Sequence, residues 1–343
     1  MKMYRFEVID KLQPEWNQIV KASSAYDFHH TAFYHTIDNS FDSKLFVAYE
    51  DDVFVALPLV IRPIEETGFY DCTSVYGYAG PISNRKDFNF SSGLKAFFKK
   101  EFDKYCVENS IVCAFSRLHP LIEQDSFFEN FGKIINVNKT ISIDLTLPID
   151  QQRALYGKSN KSQINQLRRH GFTVVEAETG ADLDAFVEIY YETMHRVNAL
   201  PSYFFTKEYF YSFLNNSDFE SKLLLAKYEG KIVAGGIFTM TNNIMQYHLS
   251  GTTGEYLRNT PMKLLLDEAR LLGNEHKMDA LHLGGGAGGS DEDSLFLFKA
   301  SFSKTQCLFK VWQYIIDLDT YNKLSESVSD KNSGFFPLYR SKN

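Results

Sequence analysis

The sequence predicts an α/β protein of two similar domains in tandem, each built on a mixed central sheet. Three observations lead there. At 343 residues the chain exceeds what one hydrophobic core usually organises, and its 44% hydrophobic content is that of a globular protein. A repeat supplies the second observation: residues 44–56 read KLFVAYEDDVFVA and residues 222–234 read KLLLAKYEGKIVA, with Ala48 and Ala226, and Ala56 and Ala234, both 178 apart. The third is the order of elements after residue 180: helices, hairpin, strands, helix, strand, then a glycine-rich loop feeding a short helix.

Each copy of the repeat reads as a β-hairpin, two runs of Val, Ile, Leu and Phe around the polar turns Glu50-Asp51-Asp52 and Glu229-Gly230-Lys231. Ahead of the second hairpin, apolar residues at Leu183, Phe186, Val187, Ile189, Tyr190 and Met194 follow helical spacing over 182–197. Thr179 and Asp182 offer a capping box for that helix. A second helix is expected over 207–214. Strands follow at 236–241 and 244–250, and then a helix with Pro261 in its first turn and Gly273 as its stop. Further strands fall at 279–283 and 308–317. The first half offers the same kinds of element: a hairpin at 44–61, strands at 74–78, 111–116 and 139–145, and a helix over 92–108. The domains are placed at 1–150 and 151–319, with the tail 320–343 packing back on the first.

The segment 281–302, LHLGGGAGGSDEDSLFLFKASF, concentrates the chemistry. With about 100° per residue and Leu295 at zero, Phe298 and Phe302 fall about 60° and 20° to one side. On the same scale Lys299 lies about 40° to the other side, inside the apolar face, and the helix reads as buried almost all round. A lysine so placed snorkels, meets an anion or lines a pocket. The glycines at 284–289 are no phosphate loop, since no Gly-Lys-Ser/Thr follows. Asp291, Glu292 and Asp293 make the helix start acidic, which suits its dipole and repels phosphate.

Composition removes several classes. A net charge of −7 argues against broad DNA binding. Four scattered cysteines (Cys72, Cys106, Cys113, Cys307) form no CxxC pair, so neither a disulfide framework nor a zinc site is indicated. His29, His30 and His35 lack an acidic or cysteine partner at ligand spacing, and no metal is expected. The N-terminus lacks a signal-peptide core, and the longest apolar run, 53–61, is too short to span a bilayer. A cytoplasmic protein is expected.

The order strand, hairpin, strand, helix resembles the GCN5-related N-acetyltransferase fold. Two such units in tandem resemble the FemABX aminoacyltransferases. The residues that carry the likeness are Phe298-Lys299-Ala300-Ser301-Phe302, similar to that family's Phe-Lys-x-x-Phe element, and His282-Leu283-Gly284-Gly285 before it. Residues 162–173, SQINQLRRHGFT, resemble the family's domain-joining helix, and Tyr76–Pro81, YGYAGP, loosely matches a Gly-Pro turn.

The resemblance implies acyl transfer to an amine of a cell-wall or surface-glycan precursor, glycan- or nucleotide-linked. Aminoacyl-tRNA or acyl-CoA would serve as co-substrate, with no tightly bound cofactor. Lys299 would then be catalytic, donating to an oxyanion or a phosphate. The substrates would meet between the domains or at the open sheet of the second. The basic segment with Lys158, Lys161 and Arg168 is a candidate for phosphates of the acceptor or of tRNA. Arg196, Tyr247 and Arg258 complete the substrate-binding candidates; His195, His248 and His282 are alternatives for a base. At residues 258–262, RNTPM departs from the Arg/Gln-x-x-Gly-x-Gly/Ala turn of acetyl-CoA enzymes: proline lacks an N–H and methionine crowds the turn. Two alternatives stay open, an acyl-CoA-dependent N-acetyltransferase and a noncatalytic relative that binds a glycan or nucleotide.

Overall fold

A computed structural model describes residues 2–37, 41–287 and 292–341. The chain forms two compact units, residues 1–137 with 308–343 and residues 138–307.

Unit 1 begins with β1 (Tyr4–Asp10), α1 (Pro14–Ala22) and α2 (Ala32–Ile37). The first repeat follows as β2 (Asp42–Glu50) and β3 (Val53–Ile64), then β4 (Phe69–Thr73), a short β5 (Ile82–Ser83), α3 (Ser92–Glu108) and β6 (Ile111–Arg117). The strand expected at 74–78 does not form: β4 ends at Thr73, and Gly77 beyond it takes a left-handed backbone with φ +114°. A Cβ at Gly77 would meet the His29 ring 2.1 Å away, so only glycine fits between that ring and the turn.

Unit 2 holds most of β7 (Lys133–Asp144), then α4 (Ile149–Ala154), α5 (Lys158–Arg169), β8 (Thr173–Glu176), α6 (Gly180–Arg196) and α7 (Lys207–Leu214). The second repeat is β9 (Glu220–Tyr228) and β10 (Lys231–Thr241), followed by β11 (Ile244–Thr252), α8 (Met262–Glu275), β12 (Ala280–Gly284) and α9 (Ser294–Ala300). The strand order is β7-β12-β11-β10-β9-β8, antiparallel except for the parallel pair β11–β12. The capping box on α6 forms in both directions, with Thr179 Oγ1 accepting from Asp182 N at 3.2 Å and Asp182 Oδ2 from Thr179 N at 3.1 Å.

The two hairpins differ by one residue of register. Ala226 faces Ala234 across a bulge between Ile232 and Ala234, whereas Ala48 faces Val55 and Ala56 faces Val47. Gly273 corrects an expectation: α8 runs through it to Glu275. A Cβ there would meet Leu145 at 2.7 Å and Met245 Sδ at 3.0 Å, so the glycine permits close helix–strand approach instead of stopping the helix.

The chain then returns to unit 1 along β13 (Gln306–Ile315), ending in α10 (Leu318–Leu324) and the tail. Sequence reasoning put this strand in the second domain. It pairs antiparallel with β6 instead, Val311 opposite Arg117, and brings Trp312 under Phe128 and Phe131. The strand order of unit 1 is β1-β2-β3-β4-β6-β13, with β4–β6 parallel. Asp71, fully buried, anchors the tail: it accepts from Arg62 at 2.8 Å, Arg340 Nε at 2.5 Å and the Tyr339 hydroxyl at 3.1 Å.

Candidate active site

In unit 2 the parallel strands β11 and β12 pair at Ile244–Ala280, Met245–Leu281 and Gln246–His282. Among the described residues the pairing ends there, while β11 continues to Thr252, so the strands part at Tyr247 and Gly284. Lys299 sits across this split. Its ammonium donates to the Gly285 carbonyl at 2.6 Å, just past the end of β12, and lies 5.8 Å from the centre of the Tyr247 ring on β11.

Two local features hold that lysine. Asp293 caps α9, its Oδ1 accepting from Phe296 N at 2.9 Å and Ala287 N at 3.1 Å, which draws the loop onto the helix start. Phe296 and Phe302, both buried, fix the inward face on either side of Lys299. The helix is not buried all round: Leu295 and Leu297 are exposed, because the buried stripe runs through 296, 299 and 302 rather than being centred on Leu295. Gly288, Gly289 and Asp291 lie outside the described residues. Burial pulls the Lys299 ammonium down from 10.5 to about 8, with Asp293 opposing that shift. The group therefore remains mostly a cation at neutral pH, held where water cannot fully solvate it.

Tyr247 faces the same side, stacked on Phe238 and donating its hydroxyl to Ser250 at 2.5 Å; burial pushes that hydroxyl up to about 12. His282 is fully buried and held at both ring nitrogens, 2.8 Å from Gln246 Oε1 and 2.9 Å from Thr140 Oγ1. His248 packs flat on Phe213 and contacts the Tyr209 hydroxyl, and His195 packs on Phe204.

The basic candidates do not gather as one patch. Arg168 points at α8, bonded to Asp267 at 2.9 Å and Glu268 at 2.6 Å. Lys161 donates back to the Ala154 carbonyl, and Lys158 is exposed at the start of α5. Arg196 ties the end of α6 to the end of β11, donating to the Thr252 carbonyl at 3.0 Å and to Thr193 Oγ1 at 3.2 Å. Arg258 is exposed beside a small pocket shared with Gln163, Gln166 and His170. At the turn before α8, Thr260 takes a left-handed backbone with φ +53°; its N–H is bonded to Leu257 O and the Lys263 N–H to Thr260 O.

Sequence reasoning missed the Gly285 carbonyl and Ser250, which only the folded chain brings to Lys299 and Tyr247. It also missed a cluster in unit 1. Asp27 lies 3.1 Å from His29 Nδ1 and 3.2 Å from His119 Nε2, all three buried, so the acidic partner held to be lacking stands two residues before His29. Burial alone would raise the Asp27 carboxyl, yet the bonds from His119 and His29 hold it well below the usual range.

No protein-family model matches the sequence, and no curated protein matches it. Solved structures do. The FemX crystal structure superposes with a TM-score of 0.71 at 12% identity, covering 93% of this chain and 99% of that one. The chain has the fold of FemX. The structure of L-PGS from Bacillus licheniformis follows at TM-score 0.58 and 15% identity, covering 89% of this chain and 92% of that one. The C-terminal domain of a putative lysylphosphatidylglycerol synthetase from Agrobacterium fabrum matches at TM-score 0.57 and 13% identity, covering 87% and 90%. The FemX-like fold expected from the order of elements is thus found. Among the described residues no helix is long and apolar enough to cross a membrane.

Proposed function

We propose that the protein is an acyltransferase of two tandem GCN5-like domains, moving an aminoacyl group from a charged tRNA to an amine of a cell-wall or surface-glycan precursor. The observation that carries this reading is the Lys299 ammonium, buried at the β11–β12 split on a Phe-Lys-x-x-Phe helix in a FemX-like fold. The acceptor amine attacks the ester carbonyl, a C–N bond forms, and negative charge develops on the carbonyl oxygen. Collapse breaks the C–O bond, the proton lost by the amine passes to solvent or a base, and the departing hydroxyl takes up a proton. Lys299 stabilises the oxyanion or an adjacent phosphate, and because it is already desolvated it pays little reorganisation during the reaction. Tyr247 lines the other wall, and exposed Lys158 and Arg258 are the candidates left for phosphate binding, since Arg168 is engaged by Asp267 and Glu268, Lys161 by the Ala154 carbonyl and Arg196 by the end of β11.

The donor is read from the turn before α8. Pro261 has no N–H, and the amides of Thr260 and Lys263 are already bonded within the turn, which leaves a poor cradle for the pyrophosphate of CoA. This favours an aminoacyl ester over a thioester. Thermal-shift screening with acyl-CoAs, UDP-sugar–peptides and charged tRNA, followed by transfer assays, tests the proposal. Stabilisation by CoA alone would point to an N-acetyltransferase, and stabilisation without transfer to a noncatalytic binder.

A further inference from the structure

Unit 1 contains a cavity of about 1110 Å³ whose lining residues all belong to that unit. Its volume exceeds the roughly 300–1,000 Å³ of ordinary small-molecule pockets. The wall mixes two chemistries. Phe115, Phe309, Phe336 and Val311 form an apolar floor on β6, β13 and the tail, and Ile135, Val137 and Phe335 remain exposed at the cavity. Arg62, Arg117 and Arg340 are among the lining residues, Arg62 and Arg340 meeting at Asp71 and Arg117 lying over Phe115.

The arginine pair at Asp71 carries one positive charge in excess of its carboxylate. Arg62 and Arg340 share one carboxylate, that of buried Asp71, and Glu65, the acidic residue in the lining, is exposed and screened by water. Sharing Asp71 also fixes both guanidiniums in place. Each has five N–H donors, and the bonds to Asp71 and to the Pro63 carbonyl use only some of them. Arg117 lies 5.2 Å from the centre of the Phe115 ring, so its cation is held at the edge of the apolar floor.

We propose that this cavity binds an anionic amphiphile, a phosphate or carboxylate head joined to an apolar body, with the head at the three arginines and the body on the phenylalanine floor. The site is independent of the acyl-transfer reading, since it uses none of the residues around Lys299. Such a head could come from a membrane lipid or from a soluble phosphate ester.

Titration calorimetry with octyl phosphate below its micelle concentration, with octanol and inorganic phosphate as controls, reads the binding. Octyl phosphate should bind at least tenfold more tightly than either control. Val137→Trp fills the cavity from an exposed position and should weaken binding at least tenfold, and Arg117→Gln several-fold, in variants whose melting curves match the wild type. Co-sedimentation with phosphatidylglycerol and with phosphatidylcholine vesicles separates the sources: capture by the anionic vesicles assigns a lipid, and octyl phosphate binding without capture assigns a soluble ester. Octyl phosphate affinity no greater than that of octanol, or unchanged in a folded Val137→Trp variant, overturns the proposal.

Discussion

Lys299 and Gly285 are joined by a 2.6 Å hydrogen bond from ammonium to carbonyl, and this bond closes one side of the gap where β11 and β12 separate. An ammonium in that position is costly to keep charged. A purely structural helix would gain from an aliphatic residue there, a cost that accords with the role in acyl transfer proposed for Lys299.

That cost has a pH signature. The native ammonium titrates at about 8 and the unfolded one near 10.5, so between these values the unfolded chain holds a proton the native one has lost. Stability contributed by this group therefore rises with pH across that window, by roughly 3 kcal/mol. Urea denaturation at pH 7.5 and 10.5 should show the wild type gaining on Lys299→Met by that order. A constant difference would contradict the buried-cation picture.

Acid should unfold the first unit through its histidines. Burial lowers His30 and His35 from 6.5 to about 3, so the native state keeps them neutral while the unfolded chain takes up protons below pH 6.5. Stability is lost as pH falls through this range, roughly 2 kcal/mol per histidine by pH 5. His35 packs on Trp16 with ring centres 4.8 Å apart, and His35→Phe should preserve that packing. The variant's denaturation midpoint should fall less steeply between pH 6.5 and 5; equal slopes would count against it.

Asp71 carries the tail. Asp71→Ala leaves Arg62 and Arg340 without their shared carboxylate, a loss of about 3–5 kcal/mol for a broken buried pair. Limited proteolysis should then cut within residues 325–341 much faster than in the wild type, with an unchanged cleavage pattern as the contrary result.

Gly273→Ala separates two readings of one glycine. Helix propensity alone predicts a gain of about 1 kcal/mol, whereas overpacking against Leu145 and Met245 predicts a loss of about 1–3 kcal/mol. A lower melting temperature is expected.

The legible parts of the fold were those written in local chemistry. The α6 capping box, the two hairpin turns and the bounds of α7 follow from neighbouring residues, and the structure places them as read. What sequence could not reveal depends on partners far along the chain. β13 looks like any strand until β6 is known to pair with it, and Gly273 looks like a stop until Leu145 is beside it. The site divides in the same way. Lys299 stands out by its helical phase, while its acceptor is a backbone carbonyl that no residue type announces. Arg168 read as a free cation because Asp267 and Glu268 lie about a hundred residues away. Asp27 escaped notice because its second partner, His119, comes from a distant loop.

The central claim is tested most directly by the single-turnover rate of aminoacyl transfer from charged tRNA to a UDP-sugar–peptide at pH 7, for the wild type and for Lys299→Met. Both proteins must be shown to be folded by circular dichroism. Loss of a preorganised oxyanion donor predicts a fall of about 10²–10³-fold. A folded Lys299→Met variant that transfers at the wild-type rate would contradict the account.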